Sequence, residues 1–147
     1  MSGDHARLAA AARALAVCAL ALAALAGCGG VRAADLFLVS RSGSTPHARL
    51  TLLVNEEGSV HCNGGPTLKL SDPQLVQARA IQEEIHDAAS RGLSLPARAG
   101  SIFAYTLRDE SGSVRFSDNS AAQPVVLRHL QLFVLQVAQQ VCHLPAS

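Results

Sequence analysis

The sequence predicts an α+β fold: a single antiparallel sheet, elements in the order β-β-β-α-β-β-α, with two helices on one face. Three observations carry this. Short apolar runs with strand-like alternation fill residues 36–62 and 101–117. Two of the gaps between them, Asn55-Glu56-Glu57-Gly58 and Glu110-Ser111-Gly112-Ser113, have hairpin-turn composition, and hairpins join antiparallel neighbours. Two longer segments carry apolar residues at helical spacing on one side only, so a single sheet face can cover both.

The chain has 147 residues, room for one ordinary domain. Its amino-terminal part is organised as an export signal. Arg7 and Arg13 give a positive start, and Ala14 to Ala26 follows without a charge. Thirteen helical residues reach only about 20 Å, short of the roughly 30 Å of a hydrocarbon core. The run ends in Leu25-Ala26-Gly27-Cys28-Gly29-Gly30. This resembles the lipobox of bacterial prolipoproteins, in which a lipid joins the cysteine sulfur and the chain is cut on its amino side. The resemblance implies a signal peptide at 1–27, a lipidated tether at 28–34 and one domain at 35–147. It places that domain on the outer side of the plasma membrane, with the membrane as partner through lipid on Cys28. Several acyl chains at about 0.8 kcal/mol per methylene would make such an anchor durable.

Of 12 basic and 11 acidic residues, Arg7, Arg13 and Asp4 belong to the leader, which leaves ten of each. A neutral domain with scattered basic residues excludes an electrostatic footprint for nucleic acid.

Leu36 to Ser40 is the first strand, and Arg41-Ser42-Gly43-Ser44-Thr45-Pro46 reads as a turn-rich break. Leu50, Leu52 and Val54 share one face of the second strand, and Ser59 to Cys62 returns as the third. Asn63-Gly64-Gly65-Pro66 ends it. Ser71 and Gln74 form a capping box around Pro73, and Leu75, Ala78, Ile81, Ile85 and Ala88 give the first helix its apolar stripe. Gly92 stops that helix. Ser101 to Asp109 and Val114 to Ser117 make the second hairpin, with Phe103, Tyr105 and Leu107 on one face. Pro124 opens the last helix, which runs to about Cys142 on a stripe of Leu127, Leu130, Val134, Val137 and Val141.

Once Cys18 leaves with the leader and Cys28 is acylated, Cys62 and Cys142 remain, and an exported even pair closes as a disulfide. The alternative uses the adjoining histidines, His61-Cys62 and Cys142-His143, as a Cys₂His₂ zinc site. Against it, successive strand residues point to opposite faces, and neither half has the usual two-residue spacer. The sequence calls for no metal and no cofactor. A Cys/His/Asn arrangement of Cys62, His129 and Asn119 would spend a sulfur that the disulfide needs. Ser117-Asp118-Asn119-Ser120 fits a turn and cap better than a nucleophile. No nucleophile elbow, phosphate loop or His-Glu-x-x-His motif is present, so the expectation is a protein that is not an enzyme.

Leu36 to Gly43, an Arg-Ser-Gly ending to the first strand, together with the later hairpin and carboxy-terminal helix, resembles emfourins. These are small bacterial inhibitors of thermolysin-like metallopeptidases. The resemblance follows the order of elements over 36–142. Ser44 replaces a common second glycine, and the lipobox and two cysteines are extra, so no inhibitory residue carries over. It implies a non-catalytic protein-binding module, with peptidase inhibition as one form. The alternative is a structural or assembly lipoprotein of the cell envelope. Scaffolds of this size bind through loops. The candidates are Arg41, Ser42 and Gly43 with the following residues to Ala48; Asn63, Gly64 and Gly65 up to Thr67; and Asp118 and Asn119 within Ser117 to Gln123.

Overall fold

The computed structural model describes residues 35–145. The expected signal peptide (1–27) and the whole expected tether (28–34), with Cys28, lie outside the described residues. Six strands form one antiparallel sheet: β1 (Asp35–Gly43), β2 (Leu50–Asn55), β3 (Ser59–Cys62), β4 (Thr67–Lys69), β5 (Phe103–Arg108) and β6 (Ser113–Ser117). Their order across the sheet is β4-β3-β2-β1-β5-β6. Two helices, α1 (Asp72–Ser90) and α2 (Val125–Gln140), complete an α+β fold. Among the described residues no helix is long and apolar enough to cross a membrane.

Two elements differ from the sequence expectation. The first strand continues through Arg41 and Ser42 to Gly43, where turn composition suggested a break. Each of these residues pairs in register with Tyr105, Ala104 and Phe103 of β5, and ladder hydrogen bonds outweigh the poor strand preference of Ser and Gly. A fourth strand, β4, is also present. Asn63 and Gly64 adopt φ of 53° and 71°, which reverses the chain and lets 67–69 pair with β3.

Alternation along the strands creates the core. Phe37, Val39, Leu50, Leu52, Val54, Val60, Leu107, Val114 and Phe116 point to the helix side and are buried. A register shift between Asp35 and Phe37 lets the consecutive Leu36 and Phe37 both be buried. From the helices, Ala78, Ile81, Ile85 and Ala89 meet them, as do Leu127, Leu130, Phe133, Val134 and Val137. Phe133 sits edge-on to Phe37 with ring centroids 6.0 Å apart. The opposite sheet face carries half-buried Leu38 and Leu53 among exposed Ser40, Ala104, Arg108 and Arg115.

The caps follow their residues. Gln74 Oε1 accepts the Ser71 backbone N–H at 3.0 Å, and its Nε2 reaches Gln140 at 3.2 Å, so the start of α1 meets the end of α2. Gly92, at φ 63°, closes α1: its N–H reaches the Ala89 carbonyl, and the Leu93 N–H reaches Ala88. Asn55 Oδ1 accepts from Glu57 and Ser59 N–H in the first hairpin turn. Asp109 Oδ1 does the same for Ser111 and Gly112 in the second. Beyond β6, residues 93–95 run parallel to it, exchanging bonds of 2.9 Å with Arg115 in both directions. Cys62 and Cys142 form a disulfide that joins the end of β3 to the turn after α2.

Candidate functional site

The register of the sheet brings the three candidate loops to one end of the domain. Arg41 pairs with Leu50, Gly43 with Phe103, and Ser117 with Ala104, while the Asn63 N–H bonds the Thr51 carbonyl at 2.8 Å. The loops after β1, β3 and β6 therefore share an edge, and the two hairpin turns at 56–58 and 109–112 lie at the other end. Along that edge, Asn63 and Asp118 are separated by the width of four strand spacings, about 19 Å.

The loop after β3 is exposed and well tied. Asn63 Oδ1 accepts the Thr51 N–H at 2.8 Å, and the Gly65 N–H returns to the Cys62 carbonyl at 2.9 Å. His61 Nδ1 lies 3.0 Å from the Gly65 carbonyl and its Nε2 faces the Thr67 hydroxyl at 3.4 Å. Both neighbouring cysteine sulfurs are in the disulfide, so the two sulfur ligands of the zinc alternative are already engaged.

At the other side of the edge, the residues 117–120 act as a turn. The Ser117 N–H donates to Ser120 Oγ at 2.9 Å, and that hydroxyl donates to the Leu95 carbonyl. Asn119 clasps Arg98 through its N–H and carbonyl, and reaches Ala99. Asp118 accepts from the Ser101 hydroxyl at 2.8 Å and from the Ile102 and Phe103 N–H groups at 3.0 and 3.2 Å. Burial opposes its charge, but these bonds outweigh that cost and hold its carboxyl below the ordinary range.

Arg41 is the residue whose role differs most from the sequence reading. It is no loop residue: it lies within β1 with its side chain on the helix side, 6 % exposed, while Ser42 points to the open face. Its Nε donates to the Ala48 carbonyl at 2.9 Å and an Nη to His47 at 3.3 Å. The guanidinium carbon stands 4.9 Å from the Phe103 ring centroid and beside the Tyr105 hydroxyl. Among the described residues its partners are thus carbonyls and aromatic rings, with no carboxylate in the set. Tyr105 stacks on Phe116, centroids 5.0 Å apart. Burial pushes its phenol pKa up, with a smaller opposing effect from Arg41, so the hydroxyl is protonated at neutral pH.

These side chains open into a cleft of about 390 Å³ between α2 and the sheet, bordered by Arg41, Phe103, Tyr105 and Asp118 and by Gln131, Leu132 and Leu135. Leu132 is 50 % exposed and Leu135 40 %. Neither sits on the buried stripe of α2. Large apolar residues on the outer face of an otherwise well-divided helix were the one sequence signal that could have found them.

Gly43 makes the cleft wall possible. A Cβ there would collide with the Ile102 carbonyl oxygen and lie 2.8 Å from Phe103 Cδ1. Because one obstacle is backbone, Gly43→Ala is expected to cost about 1–3 kcal/mol. Urea unfolding checks this, and an unchanged midpoint would show that the β1–β5 pairing yields freely.

No family model, curated protein or solved structure matches the chain.

Proposed function

We propose that this chain is a lipoprotein held on the outer side of the plasma membrane through Cys28, whose domain is a non-catalytic protein-binding module. The observation that carries the reading is the pairing of the Leu25-Ala26-Gly27-Cys28 motif with a disulfide-closed domain starting at Asp35. Disulfides persist in oxidising compartments, which is where a lipobox would deliver the domain. The polar residues at the loop edge support binding over turnover. Asp118, Asn119, Ser117 and Ser120 are engaged in turn bonds, which leaves them poorly placed to act on one another as nucleophile and base. A tied loop beside the disulfide also loses little freedom on binding.

The first partner class to test is a thermolysin-like metallopeptidase, following the resemblance of 36–142 to emfourins. An assembly role in the envelope is the second reading, favoured by the open sheet face around Leu38 and Leu53. Mass spectrometry of the membrane-extracted protein is expected to find Cys28 as an acylated amino terminus. An unmodified terminus further along the chain would overturn the lipoprotein reading. Affinity capture of envelope proteins, with a peptidase assay alongside, tests the module. Substrate turnover by the purified protein would refute it.

A further inference from the structure

We propose that the cleft beside α2 binds the free carboxylate of a peptide carboxy terminus whose last side chain is apolar. This rests on the binding-module reading and deepens it by naming the ligand chemistry.

Arg41 carries the argument. A guanidinium that is 6 % exposed has left water, and in this fold it receives two carbonyls and an aromatic face but no carboxylate. Holding the 47–48 backbone would need only a neutral donor, whose burial costs far less than that of a charge. An arginine presents five N–H donors in a fork that matches a carboxylate, and two carbonyl bonds leave donors over. The protonated Tyr105 hydroxyl beside it can donate to the same oxygens. Such a pair of donors lining one cleft is suited to an anion.

The walls define the rest of the ligand. Leu132 and Leu135, three residues apart on α2, offer apolar surface to the same cleft, as does the Phe103 ring over which the guanidinium stands. About 390 Å³ open to solvent suits a terminal residue or two, not the enclosed channel that a long acyl chain needs to leave water. Asp118, in the same lining, sets a charge limit. Its carboxylate opposes any anion and opposes a dianion more strongly, so the single charge of a monocarboxylate is what the Arg41 guanidinium has to outweigh.

The cleft contains its own reporter. Tyr105 is the only tyrosine, and the chain has no tryptophan, so intrinsic emission comes from this site alone. Acetyl-Ala-Leu with a free carboxylate, its amide, and octanoate would each be titrated into the mature protein. A saturable change in Tyr105 emission is expected with the free acid, and binding about tenfold weaker with the amide. Arg41→Gln should reproduce that loss with the acid. Because that change also touches the 47–48 loop, Leu132→Glu serves as the second variant. It lies on exposed surface and should weaken the acid by a similar factor while the unfolding midpoint stays put.

Equal affinity for acid and amide overturns the inference, and so does no saturable response to either up to about 10 mM. Tighter binding of octanoate than of the peptide overturns the peptide assignment. Capture of an envelope partner by a protein that shows no peptide response removes the cleft assignment alone. Failure to capture any partner counts against the binding module, with the emission titration still deciding the cleft.

Discussion

Replacing Cys62 and Cys142 together by serine is expected to lower the free energy of unfolding by about 4 kcal/mol. The bridge closes a sequence separation of 80 residues, and chain-entropy cost grows with the logarithm of that loop. Its location adds to the effect. The bond fastens the end of α2 to the short β3–β4 side of the sheet, where few strands contribute packing. Differential scanning calorimetry should show a fall in Tm of roughly 15 °C for a domain of this size. A fall of only a degree or two would mean that the helix and the sheet edge hold together without the bridge. Loop 63–66 should become more open to proteolysis, since its base at Cys62 loses its covalent tie to the turn after α2.

Phe133→Ala should cost about 3–5 kcal/mol. Phe133 has no exposure, and its ring meets Phe37 of β1 edge-on in the layer between α2 and the sheet. Truncation forfeits that contact and leaves a cavity, because Leu130, Val134 and Val137 are fixed by the helix that carries them. The better helix preference of alanine offsets only a few tenths of a kcal/mol. The neighbouring Leu132→Ala is the contrast: half exposed, it should alter stability by less than about 0.5 kcal/mol. Chemical denaturation of the two variants separates a core position from a cleft position on one helix. Similar values for both would contradict the way α2 divides its faces.

The fold was legible where one rule acted alone. Period-2 alternation at Leu50, Leu52 and Val54 and helical spacing at Ala78, Ile81 and Ile85 each have a single structural answer, and all six are buried. The disulfide was legible by counting. At Arg41-Ser42-Gly43 local turn preference points to a break while tertiary pairing points to a strand, and pairing with 103–105 prevails. Within the candidate site, the sequence pointed to the loops around Asn63 and Asp118, and the structure brings both to one edge. It did not point to Tyr105, Leu132 and Leu135 as neighbours of Arg41. That cleft depends on the crossing of α2 over β1 and β5, whose members are separated by up to 94 positions along the chain, and no local pattern encodes such a meeting.

The segment 93–95 beside β6 bears on how copies of the protein would meet if it is anchored as proposed. Sheet edges with unsatisfied backbone groups recruit one another, and proteins confined to a membrane leaflet meet far more often than the same molecules in solution. Here one edge is occupied by the chain itself through Arg115. The other, β4, offers three residues, with exposed Thr67 and Lys69 at its two ends. Neither margin gives an incoming strand much to extend. If the domain is lipid-held as proposed, a dense population of it would lack long free backbone ladders through which copies could zip into ribbons.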